Sequence, residues 1–254
     1  MLETKIRAEL QTKPILLMTH LVLGYPSFEE NEKVIGAMAQ AGVELVELQI
    51  PFSEPSADGP VIVNANAESL AKGTKVEQCF EFAAKMTGLY PKVGFLFMTY
   101  TNILFARGMD QFLERSLAAG LQGFIIPDLP IEESQDWRRN CHKAQMANVL
   151  IMTPTSTEAR LKEIGQASTG LVYSVGRRGV TGLKTQFDLG LEAQIRRFKA
   201  ATKLPLALGF GVKSPEDVAF LSGKADLAVI GSKLIELHQE AGVEAVGRFL
   251  GSLR

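Results

Sequence analysis

The sequence is poor in residues that staple a chain or bind metals. It has two cysteines in 254 residues, Cys79 and Cys141, both inside helix-like segments. That argues against a disulfide framework or a zinc cluster and for a reducing compartment. Three histidines are present, and no HxH, HExxH or DxDxDG spacing suggests a metal. No apolar run reaches about 18 residues, so no membrane span is expected. The first residues, MLETKIRAELQ, read as a charged amphipathic helix without the apolar stretch of a signal peptide. The expected location is therefore cytoplasmic. Neither sign of charge is in excess: 27 basic and 28 acidic residues leave a net charge of −1 and no basic field for nucleic acid. There is no linker and no low-complexity segment, so one domain over residues 1–254 is expected.

What is present is apolar and regularly spaced. Hydrophobic residues make up 46% of the chain, and eight short apolar runs begin at Ile15, Val43, Lys92, Gln122, Asn148, Gly170, Leu204 and Asp226. They are near-continuous rather than alternating, as parallel strands buried on both faces are. Helix-like segments separate them. Starts are expected at Ser27, with Glu30 three residues on, at Asp110, at Ser156 or Thr157, and at Ser214 with Pro215 behind it. Strand–helix alternation repeated eight times predicts an α/β fold, a single-domain (β/α)8 TIM barrel. The spacing is longest after the second and sixth runs, on the strand-to-helix side where barrel enzymes keep their active sites.

The residues that suggest chemistry lie on that side. Leu45–Pro60 reads LVELQIPFSEPSADGP. Glu47 interrupts an apolar strand, where an unpaired charge is costly, and Asp58 lies on the following loop. Two carboxylates so placed suit acid–base work at a barrel mouth. The plain alternatives are a salt-bridged strand-end Glu and a turn Asp. Late in the chain, Gly209–Val212 and Gly231–Ser232 follow the last two strands. Glycines and helix starts after these strands suit a phosphate group, although each glycine would also serve as a simple strand cap. Tyr173–Asp188 reads as a lid over substrate or as a plain surface loop. His142 and His238 read as solvated. His20 lies near the exit of the first strand, either reaching the mouth or satisfied in the interior.

The strings ELQIPFSEPSADGPVIVNAN, MTYTNILFARGMDQF, IIPDLPIEES, RRGVTG, LGFGVKSPEDV and IGSKLIE resemble the tryptophan synthase α subunit over nearly the whole chain. The resemblance implies retro-aldol cleavage of indole-3-glycerol phosphate to indole and glyceraldehyde 3-phosphate. By that likeness Glu47 is the proton shuttle and Asp58 holds the indole N–H. Tyr100 and Tyr173 would line the pocket, and Thr181 would be the lid threonine that helps hold Asp58. Gly182, Gly211, Gly231 and Ser232 would cradle the phosphate, with Phe210 beside them. The resemblance implies no cofactor or metal in this chain. It implies a PLP-dependent β subunit as partner in an αββα heterotetramer that receives the indole. The loop after the second strand and the Tyr100–Arg107 segment would face that partner.

Six positions depart from the family's usual residues. Gln49 stands for Gly, His20 for Phe, Val22 for Thr, Glu54 for Asp, Ser56 for an apolar residue, and Pro127 for a frequent Ala. Strand periodicity puts Gln49 on the same face as Glu47, where it would fill space a glycine leaves open. One expectation is a working lyase. The other is a weak or silent subunit whose main role is to bind and activate the β subunit. A different phosphate-handling barrel is the third and has no need of Glu47 and Asp58 in this string.

Overall fold

A computed structural model describes residues 2–175, 189–209 and 211–254. Its strands are β1 (Leu16–Val22), β2 (Leu45–Gln49), β3 (Gly94–Met98), β4 (Gly123–Ile125), β5 (Ala147–Val149), β6 (Ile151–Met152), β7 (Val172–Val175), β8 (Leu206–Gly209) and β9 (Leu227–Ile230). They lie in the order β5-β4-β3-β2-β1-β9-β8-β7-β6, and every pairing is parallel. β5 and β6 are two halves of one apolar run, so the sheet's edges meet at Leu150 and the whole is a (β/α)8 barrel. All eight expected runs become strands. The fifth divides because β5 pairs with β4 while β6 pairs with β7, and between them the Leu150 carbonyl accepts the Tyr173 N–H at 3.1 Å.

The helices are α1 (Leu2–Glu9), α2 (Phe28–Gln40), α3 (Pro60–Ala71), α4 (Val76–Leu89), α5 (Thr101–Arg107), α6 (Met109–Ala118), α7 (Gln135–Lys143), α8 (Glu158–Ala167), α9 (Leu189–Ala201), α10 (Pro215–Leu221) and α11 (Ser232–Ser252). Three expected caps are in place. Ser27, Thr157 and Ser214 each accept a backbone N–H from the third residue of their helix. Asp110 is a correction: α6 starts one residue earlier behind Gly108, so Asp110 sits inside its first turn. The segment from Ile131 is also divided, into a 3-10 turn at Ile131–Glu133 and α7. The long spacing after β2 holds an extra helix, α3, with Pro60 in its first turn.

Period-two alternation sorts the strand residues into two cores. Leu16, Met18, Leu45, Leu96, Met98, Ile125, Ala207, Leu227 and Val229 fill the barrel interior, and Leu2 and Ile6 of α1 pack with them. A side chain on Gly170, at the start of β7, would meet Leu2. So α1 plugs the end where the strands begin. Leu17, Leu21, Val46, Leu48, Phe95 and Phe97 point outward and pack against the helices. This leaves the interior open at the strands' C-terminal ends.

One buried carboxylate braces the closed end. Glu44, 5% exposed, accepts the Leu17 N–H at 2.7 Å and the Lys13 ammonium at 2.8 Å. The Arg254 guanidinium reaches both its oxygens at 2.9 Å. Removing a buried carboxylate strands its donors. Glu44→Ala is expected to cost about 2–3 kcal/mol, read as a lower urea midpoint with an unchanged slope.

Candidate active site

The same alternation, carried to the strand ends, turns polar. On β1 the inward series runs Leu16, Met18, His20; on β2 it runs Leu45, Glu47, Gln49. All three polar side chains are buried. Strand register sets His20 opposite Glu47, and the imidazole Nδ1 lies 3.3 Å from Glu47 Oε2. Glu47 Oε1 and His20 Nε2 are buried without a partner.

Asp58 enters from the loop between β2 and α3, in a turn closed by its own N–H on the Pro55 carbonyl at 2.9 Å. Its Oδ2 accepts two hydrogen bonds, from Gln49 Nε2 at 2.7 Å and from the Tyr100 hydroxyl at 2.9 Å. That hydroxyl in turn accepts the Ala57 N–H at 3.1 Å, and the Tyr100 ring stacks on Phe52 with centroids 5.1 Å apart. Burial raises the Asp58 pKa above the ordinary carboxylate range, although the His20 charge and the Gln49 and Tyr100 hydrogen bonds oppose the rise. Burial, followed by the negative Glu47 and Asp58, also lifts the Tyr173 phenol well above its usual value. Tyr173 is therefore a neutral donor at any ordinary pH.

These groups border a cavity of about 750 Å³, solvent at its mouth included. That is the size of a small-molecule site. Glu47, Asp58, His20 and Tyr173 supply its polar groups, and Ile62, Met98, Ile125, Ile151 and Val229 its apolar wall. Gly211, Gly231, Ser232 and Lys233 border it from the segments after β8 and β9. Gly209 makes room for Tyr173, since a Cβ there would lie 2.5 Å from the phenol oxygen. Gly211 has a φ of +70°, which a glycine adopts without strain.

The two nearby helix starts differ. At α10, Asp217 takes the Lys213 and Ser214 N–H groups. At α11 the cap is Gly231, which has no side chain to offer. The α11 start therefore borders the cavity without a side-chain cap, with the favourable end of its dipole there.

Of the expected site residues, Glu47, Asp58, Tyr173, Gly211, Gly231 and Ser232 all border this one cavity. Tyr100 stands behind Asp58 rather than among the residues that border the cavity. Thr181, Gly182 and Phe210 lie outside the described residues. Gln49 does not fill the space beside Glu47; its amide is turned onto Asp58. The contact between His20 and Glu47 was not foreseen. The first strand shows only that His20 faces inward, two residues beyond Met18 and four beyond Leu16; its partner follows from the register of β1 against β2. Lys233 was also missed. Among the described residues no group of three or more His, Cys, Asp or Glu is arranged to hold a metal. No helix among them is long and apolar enough to cross a membrane.

The family model for the tryptophan synthase alpha chain matches residues 6–247. The tryptophan synthase alpha chain of Syntrophotalea carbinolica is 51% identical over 254 residues, covering 100% of both chains. That of Desulfotalea psychrophila is 51% identical over 253 residues, covering 100% of this chain and 99% of its own. Among solved structures, Mycobacterium tuberculosis tryptophan synthase superposes with a TM-score of 0.92 at 28% identity, over 99% of this chain and 96% of that one. A tryptophan synthase complex from Pyrococcus furiosus superposes at 0.85 with 27% identity, over 94% of this chain and 97% of that one.

The raised Asp58 pKa has a consequence for stability. The folded protein holds that proton more tightly than the unfolded chain, so stability falls as pH rises through the folded pKa. Asp58→Asn keeps the acceptor for Gln49 and Tyr100 but removes the buried charge. Its melting temperature is expected to equal or exceed that of the wild type at pH 7. The difference should shrink as pH falls toward about 4, the ordinary carboxylate range. Thermal melts at both pH values measure this.

Proposed function

The chain belongs to the tryptophan synthase alpha chain family, lyases acting on indole-3-glycerol phosphate, and we propose that Glu47 and Asp58 carry that cleavage at the barrel mouth. The observation that supports the assignment is that both carboxylates border one cavity while separate partners hold them.

Retro-aldol cleavage needs a proton delivered to the indole C3 and a proton taken from the hydroxyl on the adjoining glycerol carbon. The bond between those carbons then breaks, its electron pair returns to the ring, and the hydroxyl carbon leaves as the aldehyde. Glu47 is the group for both transfers, and its unpartnered Oε1 is available to make them. Asp58 accepts a hydrogen bond from the ring N–H and stabilises positive charge developing on that nitrogen. Charge placed in advance in a partly dry site is effective because nothing reorganises at the moment of reaction. Tyr173 borders the same space as a neutral phenol. These are proton movements that two carboxylates can supply, so no cofactor is assigned to this chain.

The substrate's phosphate is assigned to the start of α11. Gly231, Ser232 and Lys233 border the cavity there, and a helix N-terminus favours an anion. Gly211 supports the same site from the segment after β8. Tyr100 acts on Asp58 from behind.

A β subunit is the partner. We assign an αββα assembly with a PLP-dependent β subunit, within the cytoplasm. A face including α5 supports the docking surface. Phe105 on that helix is 66% exposed, and the Asp128 carboxylate fixes the helix start through the Thr101 N–H and hydroxyl, each at 2.9 Å. The silent-subunit reading gains no support from Gln49, which leaves the cavity open.

Purified α–β complex is expected to release indole from indole-3-glycerol phosphate. Loss of an acid–base group typically costs about 10²–10⁴-fold, and Glu47→Gln should lower kcat within that range. No turnover by the wild type, alongside stimulated condensation of indole with serine by the β subunit, would establish the silent subunit instead.

A further inference from the structure

His20 takes no part in the proton transfers, yet it is bonded to the group that makes them. The two side chains come from adjacent strands, β1 and β2, at directly opposed positions. Both are buried, His20 at 5% and Glu47 at 3% exposure. Their contact uses one atom of each, Nδ1 and Oε2, at 3.3 Å. The other atom of each, Nε2 and Oε1, is buried and unpartnered, and both residues border the cavity. Glu47 thus has one oxygen engaged and one free.

We propose that His20 is the positioning residue for Glu47: its Nδ1 anchors Oε2 and so makes Oε1 the single oxygen that exchanges protons with substrate. This rests on the lyase reading above and adds a residue to it. A glutamate has three side-chain torsions, and without the anchor either oxygen can face the cavity in several poses. Small misplacements of a reacting group are expensive in rate. The anchor is rigid, because the imidazole is set by a strand paired on both sides and backed by Gly231, whose Cβ position would lie 3.6 Å from His20 Cβ.

The charged and titratable groups around His20 define how it ionises. Glu47 faces it from β2 and Asp58 from the following loop. Tyr173 from β7 and Lys233 from α11 border the same cavity. His238 of α11 borders a second, smaller cavity that His20 also lines, and is itself paired with Glu30 of α2 at 3.0 Å. Burial alone would lower the His20 pKa. The bond to Glu47, the Glu47 and Asp58 charges and the nearby Gln49 side chain outweigh burial and leave it above the ordinary histidine value. The anchor is therefore an imidazolium over more of the neutral range than a free histidine would be.

The test compares indole release by α–β complexes carrying wild type, His20→Phe and His20→Asn across pH. Phe keeps a flat ring and removes both nitrogens. Asn restores a donor in the place of Nδ1 and nothing in the place of Nε2. His20→Phe is expected to lower kcat roughly ten- to a hundredfold with KM little changed, and to lose the alkaline limb that belongs to the imidazolium. His20→Asn should recover part of kcat and still lack that limb. In parallel, ring signals of His20 in the full chain, assigned with His20→Phe, should titrate above about 6.5 and shift down in Glu47→Gln. A His20→Phe complex with wild-type kcat and pH profile overturns the positioning role and leaves the lyase reading standing. A His20 titration unmoved by Glu47→Gln overturns the pairing even if the complex is silent. A wild-type complex without turnover overturns the lyase reading and the positioning role together.

Discussion

A carboxylate inside a barrel must be held by donors, because water is scarce there and a bare charge is costly to bury. Everything at the mouth of this protein follows from that constraint. Glu47 is held by an imidazole from the neighbouring strand. Asp58 is held by an amide at the end of β2 and a phenol from the segment after β3. Each carboxylate keeps an oxygen free of these contacts. The apolar layers beneath, from Leu16 to Val229, and the α1 plug close the far end, so the polar cavity lies where the strands finish. The arrangement costs stability, as the raised Asp58 pKa and the unpartnered Oε1 of Glu47 both indicate.

The barrel was readable because its strands are buried on both faces and so are written as continuous apolar runs. Glu47 was readable for the complementary reason, as a charge in a run that otherwise excludes charge. What was not readable depended on register or on tertiary packing. The division of the fifth strand at Leu150 comes from two different neighbours competing for one short run, and nothing in NVLIM announces it. The α3 segment, VIVNANAESLA, has an apolar periodicity too weak to declare a helix. The start of α6 went to Met109 rather than Asp110 because Gly108 occupies the junction with α5.

The site was readable in its parts and not in its connections. Residues with an evident chemical character, Glu47, Asp58 and the late glycines, could be picked singly. Gln49 was expected to occupy the cavity because strand alternation gives a face and not a rotamer; the nearby Asp58 carboxylate decides the rotamer. Tyr100 was placed on the lining, yet the turn at Pro55–Asp58 comes between it and the open space. The bond from His20 to Glu47 requires the register of β1 against β2, which no single strand encodes. Two of the six departures noted in the sequence, His20 and Gln49, thus each contact one of the two carboxylates, with Tyr100 also on Asp58.

If both carboxylates serve one transition state, removing them should not cost twice. The most direct measurement is a double-mutant cycle on indole release from indole-3-glycerol phosphate, with Glu47→Gln, Asp58→Asn and both together in the α–β complex. Groups that act as a unit lose their effects non-additively. The expected result is a double variant little slower than the slower single variant. Losses that multiply in full, as for independent sites, would contradict the shared mouth described here.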